Sequence, residues 1–180
     1  MENIHDNVIP DDVIPEYKSS NPGILRRILT LIIFIAIPIA VGLISSAMTR
    51  NAMMEFNSMN KPFLAPPAAL FPIAWTILYV LMGLASYMVY TSRTTREFRR
   101  FIAMFLYGIQ LFFNFLWSII FFREAQYMVA FVWLVCLWIF VLLMMLTYRK
   151  ISKAAFYLSI PYIAWLTFAG YLNISIALLN

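Results

Sequence analysis

The chain alternates between long apolar runs and short polar connections. Five stretches, 28–48, 62–92, 101–122, 125–148 and 154–180, contain no Asp, Glu, Lys, Arg or His, and each is 21 residues or longer. An α-helix rises about 1.5 Å per residue, so about 20 apolar residues cross a hydrocarbon core about 30 Å thick. All five runs are long enough. Runs such as 137–146 lack the alternation of a barrel strand, and a backbone in lipid must satisfy its own N–H and C=O groups, so helices are expected. The pattern predicts an all-α membrane protein, a bundle of five transmembrane helices, with spans at about 26–48, 68–91, 101–122, 125–148 and 153–178. Short connections predict antiparallel packing of sequence neighbours within one domain, 24–180.

The first 23 residues differ in kind. They hold Glu2, Asp6, Asp11, Asp12 and Glu16, five of the eight acidic residues, with three prolines and no apolar stripe, so a flexible acidic tail is expected over 1–23. Being acidic and without an apolar core, this tail does not read as a signal peptide, and the first span is expected to stay as an anchor.

Composition agrees with a life in lipid: 63% of the 180 residues are hydrophobic and 12% charged. The mean hydropathy is +0.83. The basic residues divide unevenly between the two sides of a five-span chain. Lys18, Arg26, Arg27, Arg93, Arg96, Arg99, Arg100, Arg149, Lys150 and Lys153 fall on one side, and Arg50, Lys61 and Arg123 on the other. Basic residues favour the cytoplasmic face, so the N-terminus is expected inside and the C-terminus outside, in a bacterial plasma membrane. The pI near 9.5 then follows from topology, and no nucleic-acid partner is needed to explain it. Cys136, the single cysteine, lies within the fourth span, where no intrachain disulfide can form and a small buried hydrophobe is expected.

The residues disfavour several kinds of chemistry. Ion-coupled transport usually needs an ionisable residue inside the bundle, and here every such residue sits at a span end or in a connection. His5 is the sole histidine, and no Cys/His/carboxylate cluster has metal-ligand spacing, so no metal is expected. Catalytic triads and glycine-rich phosphate loops are also missing, and no catalytic residue is assigned from chemistry alone.

What remains is aromatic: sixteen Phe, ten Tyr and five Trp. Helical spacing places Phe71, Trp75, Leu78, Tyr79 and Met82 on one face of the second span. Gln110, Asn114, Trp117, Ser118 and Phe121 share a face of the third, and Tyr162, Trp165, Ala169, Asn173 and Ile176 one of the fifth. Two readings are open. The stripes are helix–helix packing cemented by amides, or they line an apolar pocket whose amides and indole N–H groups orient a flat hydrophobic ligand. Pro38 and Pro161 each remove a helical bond, freeing the carbonyls of Phe34 and Tyr157, and kinks are expected there. The first connection, with Lys61, Pro62, Leu64, Pro66 and Pro67, reads as a lid over the bundle mouth or as a plain extended connector.

These residues resemble the TspO/MBR family of tryptophan-rich sensory proteins, which includes the mitochondrial translocator protein or peripheral-type benzodiazepine receptor. The resemblance runs from about residue 28 to the end, through Lys61-Pro62 with Pro66-Pro67, the 71–79 block FPIAWTILY, the 114–118 block NFLWS with Phe121-Phe122, and the 161–169 block PYIAWLTFA with Leu172-Asn173. It implies a five-helix, often dimeric bundle that binds porphyrins such as protoporphyrin IX and haem, sterols and benzodiazepine-site ligands under the first loop. Asn114, Trp165 and Ala169 match ligand-contact positions, with Tyr162 beside them. The implied function is a membrane receptor or sensor for tetrapyrroles. Passive transport of porphyrin or sterol is an alternative, as is light-dependent porphyrin degradation with Trp165 as the reacting residue. Leu64 and Glu55 stand where relatives carry tryptophan, Trp133 where they carry an acid, and the chain stops at Asn180 without the pattern associated with cholesterol.

Overall fold

The computed structural model describes residues 23–50, 60, 62–67, 69–93 and 96–180. The acidic tail up to residue 22, Glu55 and Lys61 lie outside the described residues. Five helices follow in order: α1 Ile24–Thr49, α2 Leu70–Tyr90, α3 Glu97–Ser118 continuing into a π-helical turn Ile119–Arg123, α4 Tyr127–Arg149 and α5 Lys153–Leu179. All five are long and apolar enough to cross a membrane, and the protein is a multi-pass membrane protein.

The ends of the helices follow local chemistry. Ser152 caps α5, its Oγ accepting the Ala155 N–H at 3.3 Å. The sharp reversal between α3 and α4 uses the π turn, whose last bond runs from Glu124 N–H to the Ile119 carbonyl at 3.0 Å. Ala125 then takes the left-handed conformation (φ 50°), and the Gln126 N–H reaches back to the Ile120 carbonyl at 3.1 Å. A left-handed residue followed by a back-reaching N–H is a common helix stop, here one position longer than usual because the last turn is π-helical, and alanine in the place of glycine costs about 1 kcal/mol.

The helices close a ring in the order α1, α2, α5, α4, α3 and back to α1, with α2 also touching α3 across the middle. Neighbours in sequence do pack together, but α2 leans more on α5 than on α3. The connection over 91–96 is long enough to step across the ring, so the bundle can bring α2 and α5 side by side.

The core has Leu78, Met82, Val89, Leu134, Leu137, Val141, Met144, Leu166 and Ile176 buried in its centre. α1 is the least buried of the five helices. Where it meets α2 the backbones come close: a Cβ at Gly83 would stand 2.6 Å from both the Phe34 carbonyl oxygen and Ile35 Cα. That carbonyl is the one Pro38 frees, and it accepts a hydrogen bond from Tyr107 Oη of α3 at 3.3 Å. Cys136 is free and half-buried, less enclosed than the sequence implies.

Candidate functional site

The three aromatic and amide stripes converge, and their polar groups bond to one another. Tyr79 Oη donates to Asn114 Oδ1 at 3.1 Å, and Asn114 Nδ2 donates to Tyr162 Oη at 3.1 Å. Tyr162 Oη donates in turn to Gln110 Oε1 at 2.8 Å, while Gln110 Nε2 meets Met82 Sδ at 3.3 Å. One chain of bonds therefore joins α2, α3 and α5. A second joins α3, α5 and the start of α4: Trp117 Nε1 donates to Asn173 Oδ1 at 3.1 Å, and Asn173 Nδ2 to the Tyr127 carbonyl at 2.7 Å. Gln110, Asn114, Tyr162 and Asn173 are all 1% exposed or less. With lipid outside and no water to bond, such satisfaction is what holds buried amides in place.

The space between α2, α3 and α5 is thus filled by Tyr79, Gln110, Asn114, Trp117, Tyr162 and Asn173. Phe121 and Ala169 belong to the same buried core. A cavity of about 170 Å³ opens instead beside this layer, between α1, α2 and the end of α3. Phe71, Trp75, Tyr79 and Phe122 form its aromatic wall, and Ser45, Ser46, Thr49, Thr76 and Ser118 bring hydroxyls to it. Ile39, Gly42, Leu43 and Pro72 complete the lining, which among the described residues holds no charged side chain. Of the residues singled out in the sequence as ligand contacts, Trp75 and Tyr79 line this cavity.

Trp165 stands just behind the wall. Its ring meets Phe71 edge-on at 6.1 Å and Trp75 at 6.5 Å, and its Nε1 is buried with no hydrogen-bond partner among the described residues. Trp75 also tilts against Tyr79 at 5.5 Å and Trp117 at 6.2 Å, so the aromatic wall continues into the interior. Phe122 reaches the cavity through the π turn, while Phe121 stacks on Trp117 at 5.4 Å. Adjacent residues on a helix point to different sides, so these two consecutive phenylalanines meet different surfaces.

The first connection lies at the same end of the bundle. A turn closes from the Pro62 carbonyl to the Ala65 N–H at 2.9 Å, with Phe63 and Leu64 exposed and Pro66 half-buried. Pro67 accepts from the Leu70 N–H at 2.9 Å and leads into α2. Asn60 is clasped to the far end of α5: its N–H donates to Asn180 Oδ1, and Asn180 Nδ2 donates to its carbonyl, both at 3.1 Å. Trp133 fills the seam between α3 and α4, stacked on Phe113 at 4.4 Å with Nε1 donating to the Phe113 carbonyl at 2.9 Å. Among the described residues no group of three or more His, Cys, Asp or Glu converges.

The contribution of α1 was missed by the sequence reading. Its signal was the run of small and hydroxyl residues Gly42, Ser45, Ser46 and Thr49, spaced by three and four on an otherwise aliphatic helix.

The profile of the TspO/MBR family matches residues 34–179. The tryptophan-rich protein TspO of Chlorobaculum tepidum is 39% identical over 157 residues, covering 86% of this chain and 98% of that protein. Its namesake from Archaeoglobus fulgidus is 36% identical over 155 residues, covering 86% and 99%. The translocator protein of Bos taurus is 30% identical over 141 residues, covering 78% and 83%. A five-helix bundle with these aromatic stripes, matched along nearly all of its membrane-spanning length, belongs to the TspO/MBR family.

Proposed function

We propose that the chain is a membrane receptor for flat, mostly apolar molecules of the porphyrin class, held between α1, α2 and α3 beneath the first loop. The observation that carries this reading is the cavity walled by Phe71, Trp75, Tyr79 and Phe122, with no charge among its described lining residues. Aromatic faces stack on a flat ring, and neutral hydroxyls hold its polar edge without burying a charge. Among the described lining residues Phe71, Trp75 and Phe122 offer ring faces and Tyr79 Oη is committed to Asn114, so these residues grip a tetrapyrrole by its faces. The unpartnered Trp165 Nε1 behind Phe71 and Trp75 offers a donor once these rings move aside.

Size sets a condition on binding. Sites for drug-sized ligands measure about 300–1,000 Å³, and this cavity is about 170 Å³. A whole macrocycle enters only if the walls part, and α1, the least buried helix, is the wall that moves with least loss of contact.

The expected result in lipid nanodiscs is quenching of tryptophan fluorescence by protoporphyrin IX, with Trp75→Ala weakening the affinity about tenfold through the lost ring contact. Equal affinity in Trp75→Ala and the unaltered protein removes the cavity as the site.

The same reading sets the first loop and the cavity outside the cytoplasm of a bacterial plasma membrane. Support comes from Arg26, Arg27, Arg93, Arg96, Arg99, Arg100, Arg149, Lys150 and Lys153 at one end of the helices, against Arg50 and Arg123 at the other. In a Cys136→Ala background on intact cells, an impermeant maleimide is expected to label Arg123→Cys and spare Lys150→Cys; the reverse pattern inverts the topology.

A further inference from the structure

Most serine and threonine hydroxyls on these helices follow one habit. Those of Thr30, Thr49, Thr76, Ser86, Thr91, Thr147, Ser159 and Thr167 each donate to the carbonyl four residues back, at 2.7 to 2.9 Å. In lipid this is the simplest way for a hydroxyl to satisfy itself. Ser45 departs from it. It is 4% exposed, it lines the cavity, and its Oγ has no hydrogen-bond partner among the described residues. A buried hydroxyl left without a partner costs about 1–3 kcal/mol, so its position calls for an explanation.

The geometry points to Ser45 as the polar anchor of the ligand site, donating to a neutral acceptor oxygen, a ketone, ester or amide carbonyl, on whatever ring enters. This rests on the reading of the cavity as the site and adds the neutral-oxygen chemistry that α1 favours in a guest, over and above the stacking that holds a porphyrin. Among the other lining groups, Thr49 donates to the Ser45 carbonyl, Thr76 to the Pro72 carbonyl and Tyr79 to Asn114. Their hydrogens are committed. Of the lining hydroxyls without a bond, Ser46 is exposed and Ser118 half-buried, while Ser45 is buried; its Oγ is enclosed in the unliganded bundle, so a guest reaches it as the α1 wall yields. Among the described lining residues no cation offsets the loss of water around a charge, so a carboxylate is the poorer partner for Ser45 and a porphyrin's propionates stay toward the mouth. The size of the cavity agrees: a void of about 150 Å³ accommodates a benzene, so about 170 Å³ accepts one ring with a small substituent. A larger flat ligand then places one carbonyl-bearing ring inside and the rest toward the mouth.

The test uses two probes of the same shape, 4-fluoroacetophenone and 4-fluoro-α-methylstyrene, which differ by a C=O in place of C=CH2. Fluorine NMR titration in nanodiscs gives the ratio of their affinities for the unaltered protein and for Ser45→Ala, and lipid partitioning cancels when the two ratios are compared. The ketone preference is expected to fall about five- to tenfold in Ser45→Ala, the worth of one buried hydrogen bond. The ketone carbonyl stretch, shifted down in the unaltered complex, is expected to return toward its unbonded frequency. The ligand-free Tm is expected to hold or rise, because no protein contact is lost; a lowered Tm means the hydroxyl serves the fold and overturns the assignment. An unchanged ratio with both probes bound also overturns the anchor while leaving the cavity as the site. Failure of both probes to bind the unaltered protein overturns the anchor and the cavity together.

Discussion

Tyr162→Phe is the sharpest probe of what the interior amides are for. The change deletes a single oxygen, yet that oxygen makes two bonds: it accepts from Asn114 Nδ2 at 3.1 Å and donates to Gln110 Oε1 at 2.8 Å. Both partners are buried, Gln110 at 0% and Asn114 at 1% exposure, so neither finds water when the hydroxyl goes. Interhelical bonds in membrane proteins average about 0.6 kcal/mol and reach about 1.7, so losing two predicts a destabilisation of about 1 to 3 kcal/mol. Unfolding equilibria in bicelles by steric trapping read this range directly. The exposed Tyr157 supplies the control, Tyr157→Phe, expected to change stability by less than about 0.5 kcal/mol. A double-mutant cycle with Asn114→Leu is expected to be non-additive, since the two residues share one bond. If Tyr162→Phe costs no more than Tyr157→Phe and the cycle is additive, the network does not clamp α3 to α5. The interior stripes are then free to serve the ligand instead.

Two further outcomes follow from contacts at the edges of the bundle. Gly83→Ala sets a methyl 2.6 Å from the backbone of α1 at Phe34 and Ile35, and backbone cannot swing aside, so α1 is expected to shift with a loss of about 1–3 kcal/mol. A Tm equal to that of the unaltered protein refutes the close approach. Asn180→Ala removes both bonds that tie Asn60 to α5. Stopped-flow tryptophan quenching is expected to show protoporphyrin release faster by severalfold with the same five-helix circular dichroism, and an unchanged rate means the clasp does not control the loop.

Much of this architecture could be read along the chain. Five charge-free runs each had the length of a bilayer, and a backbone in lipid has few alternatives to helix, so α1 through α5 fell within a few residues of the expected spans. The converging faces were also legible: the spacing that grouped Gln110 with Asn114, and Tyr79 with Met82, reports which side of a helix a residue is on. Even the carbonyl freed by Pro38 was foreseeable, because proline lacks the N–H that its partner needs.

Spacing gives a face but no neighbour. Whether Tyr79, Asn114 and Tyr162 bond to one another or to a guest depends on the distances between three separate helices, and the packed bundle draws them within 3.1 Å. That closure moves the open space to the other side of α2, against α1. There the side chains at 45, 46 and 49 are too small to fill the gap that Trp75 and Phe122 leave, while Gly42 lets the Tyr79 ring close against α1. Ser45 acquires its role in the same way: its residue type is ordinary for a membrane helix, and its hydroxyl is left unsatisfied because the packed bundle encloses it at the edge of the cavity without a partner.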